Sequence, residues 1–161
     1  MATDSAVKRY NSRGLRLTFQ RVSSGANIDI IGKDLGGVSG GGVILGQSAG
    51  FPDANGNPPS PITLNSNPAA FGSNPNVQYL ATVIAHEIGH CIGFRHTDYM
   101  NRAYSCGGRH YNEGSAGVGA ILIPGTPSKA DPNSWMLACI AGGQNRPFNP
   151  NDVIALNYLY H

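Results

Sequence analysis

The segment from Asn74 to Gly93, NPNVQYLATVIAHEIGHCIG, constrains this chain more than any other. Val77, Leu80, Ala81, Ile84, Ile88 and Cys91 recur at steps of three and four and form one apolar stripe of a helix. Asn74 is a good N-cap, and Pro75 sits where a first-turn proline is tolerated. The pattern predicts a helix to about Ile92, stopped by Gly93 as a C′ glycine. A helix with an apolar side must lie against another layer, so the fold has to be built around it. At 100° per residue, His86 and His90 stand 40° apart on one face, about opposite the stripe.

The elements before the helix read as strands. Leu15, Leu17 and Phe19 alternate with Arg16, Thr18 and Gln20, predicting a half-buried strand over 15–22. Further strands are predicted over 27–32, 42–46 and 61–66, the last with Pro61 at its start, as edge strands tolerate. The Gly37–Gly42 run reads as a flexible connection, because no Lys-Ser/Thr follows it to make a phosphate cradle. A short helix is predicted over 3–13. After Phe94 regular signals fade into a Gly-rich tract, 106–127. Asn149, Pro150 and Asn151 then open a terminal helix packed through Val153, Leu156, Tyr160, Ile154 and Tyr158. With 161 residues and no linker, one domain is expected over 1–161.

Composition narrows the function. Charged residues are 12 % of the chain and the net charge is +2, with no basic run, so nucleic acid is not an expected partner. No segment approaches the ~20 apolar residues of a membrane span. Gly and Pro together make about a fifth of the chain, short of a disorder signature, and Asn and Ser supply polarity in place of charge. Three cysteines allow three pairings. Cys91 falls inside the helix among apolar neighbours, which leaves Cys106–Cys139 as the expected disulfide.

The eleven residues 86–96, HEIGHCIGFRH, hold three of the five histidines and one of the two glutamates. After Gly93 the chain can turn so that His96 returns toward His86 and His90. Three neutral imidazoles with one open position suit catalytic zinc, and Glu87, beside a ligand, is placed to take a proton from a zinc-bound water. For a lone histidine a satisfied surface or core group is the better reading, but not for this spacing. A structural zinc site has no use for the glutamate.

HEIGHCIGFRH matches the metzincin signature H-E-x-x-H-x-x-G-x-x-H, and with His96, Thr97 and Asp98 it resembles the bacterial secreted HEIGH metallopeptidases. SWMLACI, 134–140, resembles a Met-turn with Met136 as its methionine. IPGTP, 123–127, and the closing NDVIALNYLY add to the resemblance, which is densest from about residue 75 onward. It implies His86, His90 and His96 as zinc ligands, Glu87 as general base and Met136 as the structural floor. It implies an α+β, zincin-like fold. An upper subdomain, about 1–93, would carry a twisted mixed sheet, a substrate-aligning edge strand and the active-site helix. A small irregular lower subdomain, about 94–161, would end in a helix.

The implied activity is zinc-dependent endopeptidase action on protein or peptide by a secreted enzyme, and the low net charge with no apolar surface stretch fits a monomer. Its signal and any pro-segment would lie outside this chain. A non-catalytic zinc-containing module that grips protein, and a metal-dependent hydrolase of non-peptide substrates, are the rival readings.

Ala138 stands where some metzincins have a tyrosine, which leaves Tyr99, Tyr104 and Tyr111 as candidates for oxyanion partner. Asp98 and Arg95 are expected either to orient His96 or to form a solvated pair. Asp53, Asn55 and Asn57 resemble the start of a calcium loop, but no downstream glutamate completes it, and they read as a turn. Structural calcium held by other loops remains a further expectation. His110 and His161 have no partner spacing and read as surface residues.

Overall fold

The computed structural model describes residues 1–114 and 119–161; the centre of the Gly-rich tract, 115–118, lies outside the described residues. The elements in chain order are α1 (Ala2–Asn11), β1 (Ile30–Lys33), β2 (Gly46–Ser48), β3 (Ile62–Asn65), α2 (Pro68–Phe71), α3 (Val77–Cys91), α4 (Ala103–Cys106) and α5 (Pro150–Tyr160). The architecture is α+β, with a three-stranded mixed sheet in the order β1-β3-β2. β1 runs parallel to β3, with Ile30 opposite Ile62, and β2 runs antiparallel, with Gly46 opposite Leu64.

β3 is therefore the central strand, not an edge. Pro61 is compatible with that place because the ladder begins at Ile62, just after a cis Ser60–Pro61 peptide. Residues 15–22 keep the expected alternation, with Leu15 buried and Leu17 and Phe19 packed on the core, yet form no strand. Their backbone finds partners elsewhere. Phe19 exchanges two hydrogen bonds with the Asn11 side chain, and the Arg16 amide donates to the Tyr160 carbonyl. β1 and β2 are shorter than expected and start three and four residues later. Asn65 explains part of this. Its buried amide binds Leu35, Gly36, Ile44 and Asn67, so the flanking loops bond to one side chain where a longer ladder would otherwise form.

α3 starts at Asn76, not Asn74: the Asn76 side chain accepts from the Gln78 and Tyr79 amides, and Pro75 precedes the cap. Val77 is 51 % exposed and leaves the predicted stripe. From Tyr79 onward the helix is buried on nearly every side. α1 crosses it, with Tyr10 fully buried and its hydroxyl donating to the Ala85 carbonyl at 2.6 Å. Ala81 and Ala85 are small enough to admit α1 and Trp135, whose rings join Phe19, Phe94 and Phe148 in one aromatic cluster. Each such ring contributes on the order of 1.5–3 kcal/mol through burial.

α5 closes the chain under a capping box of Asn149 and Asp152. Ala155 and Leu156 are its buried face, whereas Ile154 and Tyr158, expected to pack, are 41 % and 59 % exposed. The Asp152 carboxylate also accepts from the Trp135 amide, which ties α5 to the turn beneath α3.

Candidate metal centre

The end of α3 builds the site. Gly93 adopts φ +100°. Its amide donates to the His90 carbonyl and the Phe94 amide to the Gly89 carbonyl, the paired bonds of a Schellman turn. That turn sends the Phe94 carbonyl back over the helix, where it accepts from His90 Nδ1 at 2.8 Å. His86 Nδ1 donates to the Trp135 carbonyl at 2.8 Å. His96 Nδ1 meets the Glu113 carboxylate at 2.8 and 3.0 Å.

With every Nδ1 committed as a donor, each Nε2 carries a free lone pair, and the three converge. His86 to His90 is 3.1 Å, His90 to His96 3.2 Å and His86 to His96 3.3 Å between Nε2 atoms. Three lone pairs that close repel one another unless a cation lies among them. A tetrahedral zinc with Zn–N near 2.0–2.1 Å sets its ligand nitrogens about 3.3 Å apart. The donor set and its spacing therefore fit zinc, and the three histidines can hold a metal. Burial favours the neutral form of His86 and His90. It pushes His86 well below the ordinary imidazole value, helped by the neighbouring His90 and His96, and takes His90 down to about 4.

Glu87 follows His86 by one residue and is 6 % exposed. Burial raises its carboxyl to about 7, against a small opposing pull from the Ser48 amide. β2 reaches this carboxylate because Gly46 has no side chain. A Cβ there would lie 3.1 Å from Val83 Cγ1 and 3.2 Å from Glu87 Oε1. Gly89 serves a second approach. A Cβ on it would lie 2.5 Å from Met136 Sδ, so the turn at 134–136 can press against α3 between the two helical histidines only at a glycine.

The segments after α3 are knitted to that turn. The Thr97 amide donates to the Met136 carbonyl, and fully buried Asp98 accepts from the Ala138 amide and from Ser105 Oγ. Ser105 Oγ in turn accepts from the Cys139 amide, beside the Cys106–Cys139 disulfide. Cys91 is free and buried.

Asp98 thus secures the loop and is bound there, not to His96. Arg95 stacks its guanidinium 3.8 Å above Phe51, whose ring meets His90 edge-on. The residue that grips His96 is Glu113, clamped by Arg102 at 3.1 Å. Burial resists ionisation of Glu113, but the His96 and Arg102 contacts outweigh it and hold its carboxyl below the usual value. Sequence reasoning missed it, although it is the only glutamate besides Glu87.

Tyr104, on α4, and Tyr111, on the loop after it, are 48 % and 59 % exposed. Asp53 closes its own turn, accepting from the Asn55 and Asn57 amides and the Asn57 side chain. His110 and His161 are exposed. A cavity of about 950 Å³ between Leu17–Ile30 and Cys91 touches none of the three histidines or Glu87.

No curated protein matches the chain. The family described as dual-action HEIGH metallo-peptidase matches it over residues 1–160, nearly its whole length. The converging histidines, the buried glutamate beside them and this match lead to one statement: the chain belongs to the HEIGH metallopeptidase family.

Proposed function

We propose that the chain is a zinc-dependent endopeptidase in which His86, His90 and His96 hold the metal and Glu87 is the general base. The observation that carries this reading is the joint geometry: three Nε2 lone pairs within 3.1–3.3 Å, beside a buried carboxyl raised to about 7. A zinc ion bound there supplies Lewis acidity to the scissile carbonyl and makes water acidic near neutral pH. Glu87 takes the proton of the attacking water and delivers it to the leaving amine. Burial shifts this carboxyl upward, the direction that suits a group which both takes and returns a proton near neutral pH. β2 is an edge strand whose Gly46 lies against Glu87, and an extended peptide can add beside it as a further strand. No covalent intermediate is needed.

The same reading makes Met136 the methionine of a Met-turn and gives the chain a metzincin layout. A single domain, 1–161, divides near residue 93 into an upper part with sheet and α3 and a lower part ending in α5. The disulfide supports export to an oxidising compartment. Among the described residues, no helix is long and apolar enough to cross a membrane. The substrate class, protein or peptide, follows from the family.

The test is digestion of an unfolded protein before zinc removal, after chelation, and after zinc is restored. Cleavage should vanish with the metal and return with it. Full cleavage by the metal-free protein would refute the reading. Zinc binding without cleavage of any peptide would favour the non-catalytic module.

A further inference from the structure

The three candidate ligands are held differently. His86 and His90 place their Nδ1 protons on backbone carbonyls, those of Trp135 and Phe94, which the helix, its Schellman turn and the buried turn at Trp135 fix rigidly. His96 lies beyond the helix, on a loop, and its Nδ1 is held by a carboxylate seventeen positions away. Both Glu113 oxygens lie within 3.0 Å of that nitrogen. One side-chain contact fixes the carboxylate and two backbone bonds fix the segments that carry it. Arg102 Nη1 binds Oε1 at 3.1 Å, the Glu113 amide donates to the Tyr99 carbonyl at 2.9 Å, and the Arg102 amide donates to the Tyr111 carbonyl at 2.8 Å. Residues 99–102 and 111–113 thus form a backbone clamp that presents one charged acceptor to one imidazole. In a chain with two glutamates, this is where the second one stands.

We propose that Glu113 is the positioning residue of the third metal ligand: its carboxylate, anchored by Arg102, holds the Nδ1–H of His96 and so turns Nε2 toward the metal. This rests on the proposed metal-holding role of His86, His90 and His96. The carboxylate does two things that a carbonyl does not. Two oxygens at similar distances fix the plane of the imidazole, and a full negative charge makes its Nε2 a stronger donor. The loop that carries Glu113 is therefore part of the metal centre, although it supplies no ligand. Arg102, bound to Oε1, keeps the carboxylate turned to His96 and stops it from swinging to the metal itself.

Zinc affinity, measured by competition with a chromophoric chelator, tests this on the wild type and on Glu113→Gln, Glu113→Ala and Arg102→Ala. The Nδ1–H resonance of His96 is followed in the zinc-loaded proteins. Glu113→Ala should weaken zinc by about 10- to 100-fold, the usual cost of losing such a partner, and should broaden or lose the resonance. Glu113→Gln keeps an acceptor oxygen without the charge, so it should restore the resonance and recover part of the affinity. Arg102→Ala should fall between Gln and the wild type. Because all variants keep the backbone clamp, a merely structural role predicts no difference between Gln and Ala. Zinc affinities within twofold of wild type with an unchanged His96 resonance would overturn the proposal. A wild type that binds no zinc would instead overturn the metal site on which it rests.

Discussion

Replacing Gly89 by alanine should destabilise the protein, although the same change in an exposed helix would stabilise it. Position 89 lies inside α3, where alanine gains about 0.8–1.0 kcal/mol in intrinsic helix propensity over glycine. Against this stands the added methyl, 2.5 Å from Met136 Sδ and 3.1 Å from Trp135 Nε1. Ordinary contact needs about 3.5–4 Å, so the sulfur must move by roughly an ångström. Met136 is 1 % exposed and Trp135 2 %, so neither has an open side to move into. Overpacking of this kind costs about 1–3 kcal/mol, which exceeds or at least offsets the propensity gain. The displaced turn also carries the carbonyl that holds His86 Nδ1, so zinc affinity should fall together with stability.

Urea denaturation of the zinc-free protein, with a double-mutant cycle through Met136→Ala, separates the terms. Met136→Ala alone should cost about 2–5 kcal/mol for a cavity. Adding Gly89→Ala to it should then be neutral or stabilising, a favourable coupling of at least ~1 kcal/mol. A Gly89→Ala protein as stable as wild type, with no coupling to Met136, would refute the reasoning.

Three further outcomes follow from the structure. Burial raises the folded-state carboxyl of Glu87 from 4.5 to about 7. Its contribution to stability is therefore fully present below pH 4.5 and lost as pH rises through 7. Zinc-free Glu87→Gln should match the wild type near pH 4 and exceed it by about 3 kcal/mol at pH 8, read from denaturation midpoints at each pH. Removing the Cys106–Cys139 disulfide by paired serines should cost about 3–4 kcal/mol for a loop of its 33-residue separation. In the intact protein Cys91, buried and pushed up to about 12, should resist alkylation until the chain unfolds.

The part of the site legible in the sequence is the part written in local geometry. A 3.6-residue period, a C′ glycine and the spacing of His86, His90 and His96 define a helix, its stop and a return within eleven residues. Glu113 was not legible, because its approach to His96 depends on a clamp between two loop segments that has no periodic signature. The fold shows the same division. α3 and α5 follow from caps and apolar periods, with boundaries shifted where two asparagines compete for the cap, as Asn74 and Asn76 do. The strands fared worse, because β1–β3 are three or four residues long and Asn65 and Asn11 satisfy backbone groups that a ladder would otherwise take. Alternation correctly marked Leu15, Leu17 and Phe19 as inward, but alternation reports burial and not pairing. Asp98, expected either to orient His96 or to form a solvated pair, does neither, because nearness in sequence to His96 does not decide which side chain its ring faces.

The most direct test of the central claim compares the wild type with Glu87→Gln, both loaded with zinc, in digestion of an unfolded protein. Gln is isosteric and leaves His86, His90 and His96 untouched, so zinc should bind with little change. Loss of the general base should lower cleavage by about 10²- to 10⁴-fold. Equal cleavage by the two zinc-loaded proteins would contradict the account, because the buried carboxyl beside the three histidines would then play no part in the chemistry.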